Sequence, residues 1–154
     1  MKITTKIFGQ IEIEDEKIIE FEKGIIGFEN YNRYVLIHGE DDEKEKLIRW
    51  LQSVDDGSLA FPVIDPLKVK EEYNLSVEEE LLKTIGEFEE EDLLVLTVVT
   101  VPSDVKKVTV NLKAPIIINT KTMKGTQLIV DNEEYNVRHL IYDLIQTQKE
   151  KAGE

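Results

Sequence analysis

No cysteine occurs in the chain. That excludes disulfides, thiolate nucleophiles and cysteine-ligated zinc or iron–sulfur sites, and it suits a reducing compartment. Histidine is scarce too: His38 and His139 lie far apart, and neither belongs to a ligand motif such as HExxH. The acidic run Glu89, Glu90, Glu91 and Asp92 lacks the Asp-x-Asn-x-x-Gly pattern of a calcium loop. Ser53, Ser58, Ser76 and Ser103 fall at turns, caps or strand ends, and none sits in a GxSxG elbow. No metal, no cofactor and no catalytic constellation is therefore expected. No run approaches the roughly 20 apolar residues that span a bilayer. The opening MKITTKIFGQIEIEDEK lacks the apolar centre of a signal peptide. A cytoplasmic location without membrane contact is the expectation.

Positive charge is also in deficit. Of 154 residues, 32 are Asp or Glu and 19 are Lys or Arg, a formal charge of -13. Such a surface repels nucleic-acid phosphates and anionic lipid, and attracts basic proteins. Direct nucleic-acid binding is not expected. The apolar share of 41%, rich in β-branched residues, suffices for a packed core. The length fits one domain, read as 1–145 with a fraying tail over 146–154.

What is present is strand-like. In Ile11-Glu12-Ile13-Glu14 apolar and charged residues alternate, the period of a half-buried strand. Gly9-Gln10 reads as the turn before it, and Ile18 to Phe21 resumes the sheet. Tyr34 to His38, Leu47 to Val54 and Leu59 to Ile64 read as strands, separated by the charged excursion 39–46 and the Asp56-Gly57 turn. Pro62 calls for an edge or a bulge. Ser76 stands three before Glu79, a capping-box spacing; Val77, Leu81 and Ile85 then share one helical face, so a short helix is predicted over 77–85. Leu93 to Val101 reads as a central strand. Val105 to Asn119 reads as strand interrupted at Pro115. Gly125 completes a turn, and Thr126 to Val130 forms the next strand. A brief strand over 134–136 precedes a helix capped by Asn136. With no strand–helix–strand alternation, the pattern predicts an all-β fold: a small closed or partly open antiparallel β-barrel with one or two short helices.

Charge alone does not hold a partner tightly, because exposed ion pairs are worth little. A docking surface needs an apolar centre beside the acidic run Glu89, Glu90, Glu91 and Asp92. Candidates are Ile25, Ile26 and Phe28 in the loop bracketed by Gly24 and Gly27, Trp50, and the stretch Val63 to Leu67. The glycine loop either plugs the core or faces a partner. Trp50 either anchors a partner or covers the barrel rim. The Gly24–Gly27 spacing has no basic residue in its gap and reads as loop geometry rather than phosphate binding.

Several blocks occur in a distinctive order: FEKGIIGF over 21–28, LQS over 51–53, LAFPVIDP over 59–66, NLKAPIIIN over 111–119 and GTQLIV over 125–130, with Tyr135 and Arg138 after them. Nearly the whole chain resembles the FliW family of bacterial flagellar assembly factors. The segment past Arg138 carries a longer helical pattern than the family ending. The resemblance implies a cytoplasmic, barrel-like, non-enzymatic binding protein. Its implied partners are CsrA, a basic dimeric RNA-binding translational regulator, and flagellin, which compete in effect. It further implies that Gln52, Phe28 and the Asp65-Pro66 corner contact partners. Gly24, Gly27 and Pro115 set loop and bulge geometry, and Asn111 and Asn119 bond to backbone at strand ends. The competing readings are a small barrel that binds an apolar ligand or carries a simple hydrolytic activity, and a structural subunit with one large apolar face.

Overall fold

The computed structural model describes residues 1–37, 48–73 and 79–146. His38, the excursion 39–46, Ser76, Val77 and the tail from 147 onward lie outside the described residues. In chain order the strands are β1 (Lys2–Thr5), β2 (Gly9–Glu12), β3 (Ile19–Phe21), β4 (Arg33–Ile37), β5 (Ile48–Ser53), β6 (Ala60–Ile64), β7 (Leu93–Thr100), β8 (Thr109–Val110), β9 (Ile116–Asn119), β10 (Lys124–Gln127) and β11 (His139–Leu140).

A closed 7-strand barrel runs β7-β6-β5-β4-β3-β10-β9 and returns from β9 to β7. An odd ring cannot alternate direction all the way round, so one neighbouring pair must run parallel. That pair is β3 with β10, where Phe21 lies opposite Gly125; the other pairs are antiparallel. The space beside Gly125 belongs to the Phe21 ring: a Cβ at residue 125 would stand 2.6 Å from Phe21 Cζ. Gly125 is therefore a strand residue and not the turn expected from sequence. The turn falls earlier, at Met123 with φ of 56°, and the strand begins at Lys124.

Alternation decides what fills the barrel. Tyr34 and Leu51 point inward with Phe21, Val63, Leu96, Ile116 and Ile118, all buried. The opposite face of β4 and β5 does not reach solvent freely, because the β1–β2 hairpin lies over it. Ile3, Ile11 and Ile13 of the hairpin side pack on Val35 and Ile37, and Lys6 N donates to Gly57 O at 2.9 Å. Ile13 is buried while Glu12 and Glu14 are exposed, as the alternation predicts. The hairpin pairs Thr5 with Gly9, so residues 6–8 form its loop and Gly9 opens β2.

β7 is the central strand. On one edge its first half pairs with β9 and its end with β8; the other edge meets β6. Between β8 and β9 the chain must step away, and Pro115, which has no N–H to donate, falls in that gap. Asn111 Oδ1 accepts from Lys113 N at 3.0 Å and Ala114 N at 3.1 Å, closing the step. Pro62 pairs toward β5, while the contact with β7 involves only Val63 and Ile64, so its missing donor lies outside that ladder. The described part of the expected 77–85 helix is a 3-10 helix, Glu79–Ile85. The final strand lies at His139–Leu140, later than the predicted 134–136, and helix follows over 142–146. Asn136 does not cap that helix; its carbonyl accepts from Leu112 N at 3.0 Å. The short edge of β8 is what draws β11 into register.

Two consequences are measurable. Gly125→Ala forces a methyl into the Phe21 ring across the parallel seam and should cost about 1–3 kcal/mol in urea denaturation; an unchanged midpoint contradicts that packing. The Tyr34 hydroxyl is buried and has no hydrogen-bond partner among the described residues, and burial pushes its pKa up to about 12. Burial raises Tyr73 as well. Unfolded tyrosine titrates near about 10. The folded pKa is the higher one, so stability is intact below about pH 10 and falls as pH rises from there toward the folded pKa. Tyr34→Phe should match or exceed the wild-type melting temperature at pH 7 and lessen the alkaline loss; a large loss at pH 7 would show that the hydroxyl holds a partner.

Candidate protein-docking surface

The glycine loop splits its apolar residues between core and solvent. Gly24 has φ of 68° and Gly27 has φ of 89°, a region unfavourable to side chains; a Cβ on Gly24 would also stand 2.6 Å from Glu29 Cα. The tight reversal is closed by Gly24 N donating to Phe21 O at 2.9 Å and Phe28 N to Ile25 O at 2.6 Å. Ile25 is 2% exposed and plugs the barrel, whereas Ile26 is 52% and Phe28 39% exposed. Ile25 thus belongs to the core, while Ile26 and Phe28 face solvent. Phe28 rests edge-on against Phe61 at 5.1 Å, and Phe61 against Tyr34 at 6.1 Å. Gln127 fixes the loop from the other side. Its Oε1 accepts from Ile26 N at 2.8 Å, and its Nε2 donates to Ala114 O at 3.0 Å. Sequence alone does not single out Gln127, because the loop it holds lies 101 residues earlier in the chain.

A second surface forms where two sequence-distant blocks meet. Asp65 Oδ1 accepts from Leu67 N at 2.9 Å and caps the 3-10 turn Pro66–Lys68. Pro66 is buried, and the turn lifts Leu67 outward, 53% exposed. Facing it is the 3-10 turn Glu90–Asp92. Asp92 Oδ2 accepts from Glu89 N at 2.9 Å, and Asp92 O accepts from Thr120 N and Oγ1, both at 2.8 Å. A groove of about 490 Å³ lies between these turns, lined by Asp65, Pro66, Leu67, Tyr73 and Glu90 and floored by Leu93, Leu94 and Val95. On the other side of the acidic turn a hollow of about 530 Å³ is lined by Leu82, Gly86 and Phe88, with Lys83 and Lys121 set against Glu87 and Glu89. The four acidic residues thus do not act as one patch. Glu90 borders the groove, Glu89 the hollow, and Asp92 holds the turn through Oδ2. Glu91 is exposed and lines neither.

Two expected contact residues are placed differently. Gln52 is fully buried. Its Nε2 donates to Ser53 O at 3.0 Å and Leu59 O at 3.1 Å, and lies 3.3 Å from Gly57 O. It holds the β5–β6 connection beneath the hairpin and offers no surface for direct contact with a partner. Trp50, on the same outward face, is half-buried with Phe8 edge-on at 6.2 Å. The β1–β2 hairpin covers that face. Asn119 is buried. Its Nδ2 donates to Ile85 O at 2.8 Å and Glu87 O at 3.0 Å, while Oδ1 accepts from Lys121 N at 3.0 Å. It ties the 3-10 helix and the acidic segment to the end of β9.

Among the described residues no cluster of three or more His, Cys, Asp or Glu could hold a metal ion. Nor is any described helix long and apolar enough to cross a membrane.

Comparison with known proteins places this geometry. A family profile described as "FliW protein" matches residues 2–141. The flagellar assembly factor FliW of Lachnospira eligens is 48% identical over 150 residues, covering 97% of this chain and 99% of that protein. The flagellar assembly factor FliW of Lachnoclostridium phytofermentans is 45% identical over 151 residues, covering 98% and 97%. A crystal structure of the flagellar assembly factor FliW superposes with a TM-score of 0.81 at 33% identity, covering 92% of this chain and 96% of that one. With most of its length matched, and its barrel superposing on a solved member, the chain belongs to the FliW family of flagellar assembly factors.

Proposed function

We propose that the protein is a non-enzymatic regulator of the cytoplasm that sequesters CsrA and binds flagellin, so coupling flagellin synthesis to flagellar assembly. Unexported flagellin occupies the protein and frees CsrA, which represses the flagellin message. Export of flagellin reverses this. Membership of an assembly-factor family supports the coarse role. The observation that carries the finer reading is the acidic turn at Glu89–Asp92, with an apolar-floored groove on one flank and a hollow of mixed charge around Leu82 and Phe88 on the other. Carboxylates steer a basic protein into encounter, and the uncharged surface beside them supplies the grip that exposed ion pairs lack. A carboxylate-rich body held against a phosphate-binding protein also raises the cost of keeping RNA bound there. The barrel axis is occupied by Phe21, Tyr34, Leu51, Leu96, Ile116 and Ile118, which speaks against a ligand held inside it.

Purified CsrA and flagellin test the reading. The protein should bind CsrA at low salt, lose it as salt rises, and release it when flagellin is added. Absence of a complex with either partner at low salt would sink the proposal. The triple variant Glu89→Gln, Glu90→Gln, Glu91→Gln should slow association with CsrA about 3–10-fold at low ionic strength and flatten the salt dependence; an unchanged rate would mean that the turn faces away from the partner.

A further inference from the structure

We propose that the groove between the Asp65–Leu67 corner and the start of β7 seats one cation-plus-aliphatic segment of the basic partner: an Arg or Lys with an aliphatic residue close by in the chain. This rests on the CsrA reading above and assigns it a place.

The rim supplies the charge argument. Asp65 spends only Oδ1, on the cap of its own turn, and its Oδ2 has no partner among the described residues. Glu90 likewise has none. The ion pairs of the described residues lie elsewhere: Arg33 with Asp55, Lys70 with Glu72 at 3.6 Å, and Lys83 with Glu80 at 3.6 Å. Lys70 does not line the groove. Two carboxylates with free oxygens bound one cleft, and a guanidinium or ammonium brought between them would gain charge-assisted hydrogen bonds.

The floor supplies the apolar argument. Leu93, Leu94 and Val95 are half-buried, and the hydroxyl of the lining Tyr73 already donates to Leu112 O at 2.7 Å. The floor side chains themselves are apolar. Leu67 stands exposed at the rim on a turn fixed by the Asp65 cap and Pro66, so its side chain is presented without a loop-ordering cost. The volume of about 490 Å³ falls in the range of cavities that take a few side chains. The neighbouring hollow differs in a telling way. There Lys83 and Lys121 offset Glu87 and Glu89, so it has no preference for a cation. Charge complementarity assigns the basic segment to the first groove.

The test exploits the absence of native cysteine. Leu67→Cys carries a single environment-sensitive fluorophore, with Ile129→Cys, exposed and outside the groove, as reference. Adding CsrA should blue-shift the probe at 67 and leave that at 129 unchanged. Calorimetry with the unlabelled variants adds the energetics. Leu67→Ala should weaken CsrA binding at least fivefold at every salt concentration. Glu90→Gln should weaken it several-fold at low salt, with the difference fading near 0.5 M. Both residues are exposed, so melting temperatures should stay at the wild-type value. If wild type fails to bind CsrA, the functional reading itself fails. If wild type binds, but the probe at 67 is silent and both variants bind as wild type, the groove assignment is overturned. A loss of flagellin binding with CsrA binding intact overturns it too, by giving the groove to the other partner.

Discussion

The parallel pairing of β3 with β10 is the contact on which the rest of the molecule depends. A ring of seven strands needs one such seam, and parallel strands must be joined by a long connection rather than a tight hairpin. Here that connection is most of the chain: β4 through β9 lie between Phe21 and Lys124. The seam closes because residue 125 lacks a side chain and the Phe21 ring takes the space. Phe21 then stacks edge-on with Tyr34 at 5.3 Å, Tyr34 meets Phe61, and Phe61 supports Phe28. One glycine thus begins an aromatic series that runs from the barrel's closing point to an exposed phenylalanine.

The same closure sets where docking can occur. A closed barrel removes sheet edges and leaves partners only the loops and whatever packs outside. The hairpin of β1 and β2 covers the outer face of β4 and β5. Among the open surfaces are the connections at Gly24–Phe28, Asp65–Leu67 and Gly86–Asp92, each shaped by side chains that spend hydrogen bonds on nearby backbone. Asp65, Asp92, Asn119 and Gln127 all work in this way.

Much of this was legible in the sequence where a residue reports its own geometry. The Ile11–Glu14 alternation, the uninterrupted run of β7, the break at Pro115 and the glycine pair of the 24–28 loop all state a local requirement. The readings that changed depended on neighbours distant in the chain. Nothing in the residues around Gln52 and Trp50 says that the hairpin of β1 and β2, distant in the chain, covers their face, because periodicity reports only on a local window. Gly125 looked like a turn because its actual reason, the Phe21 ring, comes from another strand. The acidic run read as one patch, and only the packing of β7 beside the Asp65 corner divides it between two hollows.

Hydrogen–deuterium exchange with and without CsrA tests the central claim most directly, because it reports on every surface at once. The account predicts new protection at 65–67 and 90–95, with the β1–β2 hairpin unchanged. Protection confined to the hairpin, with the groove exchanging as in the free protein, would contradict it.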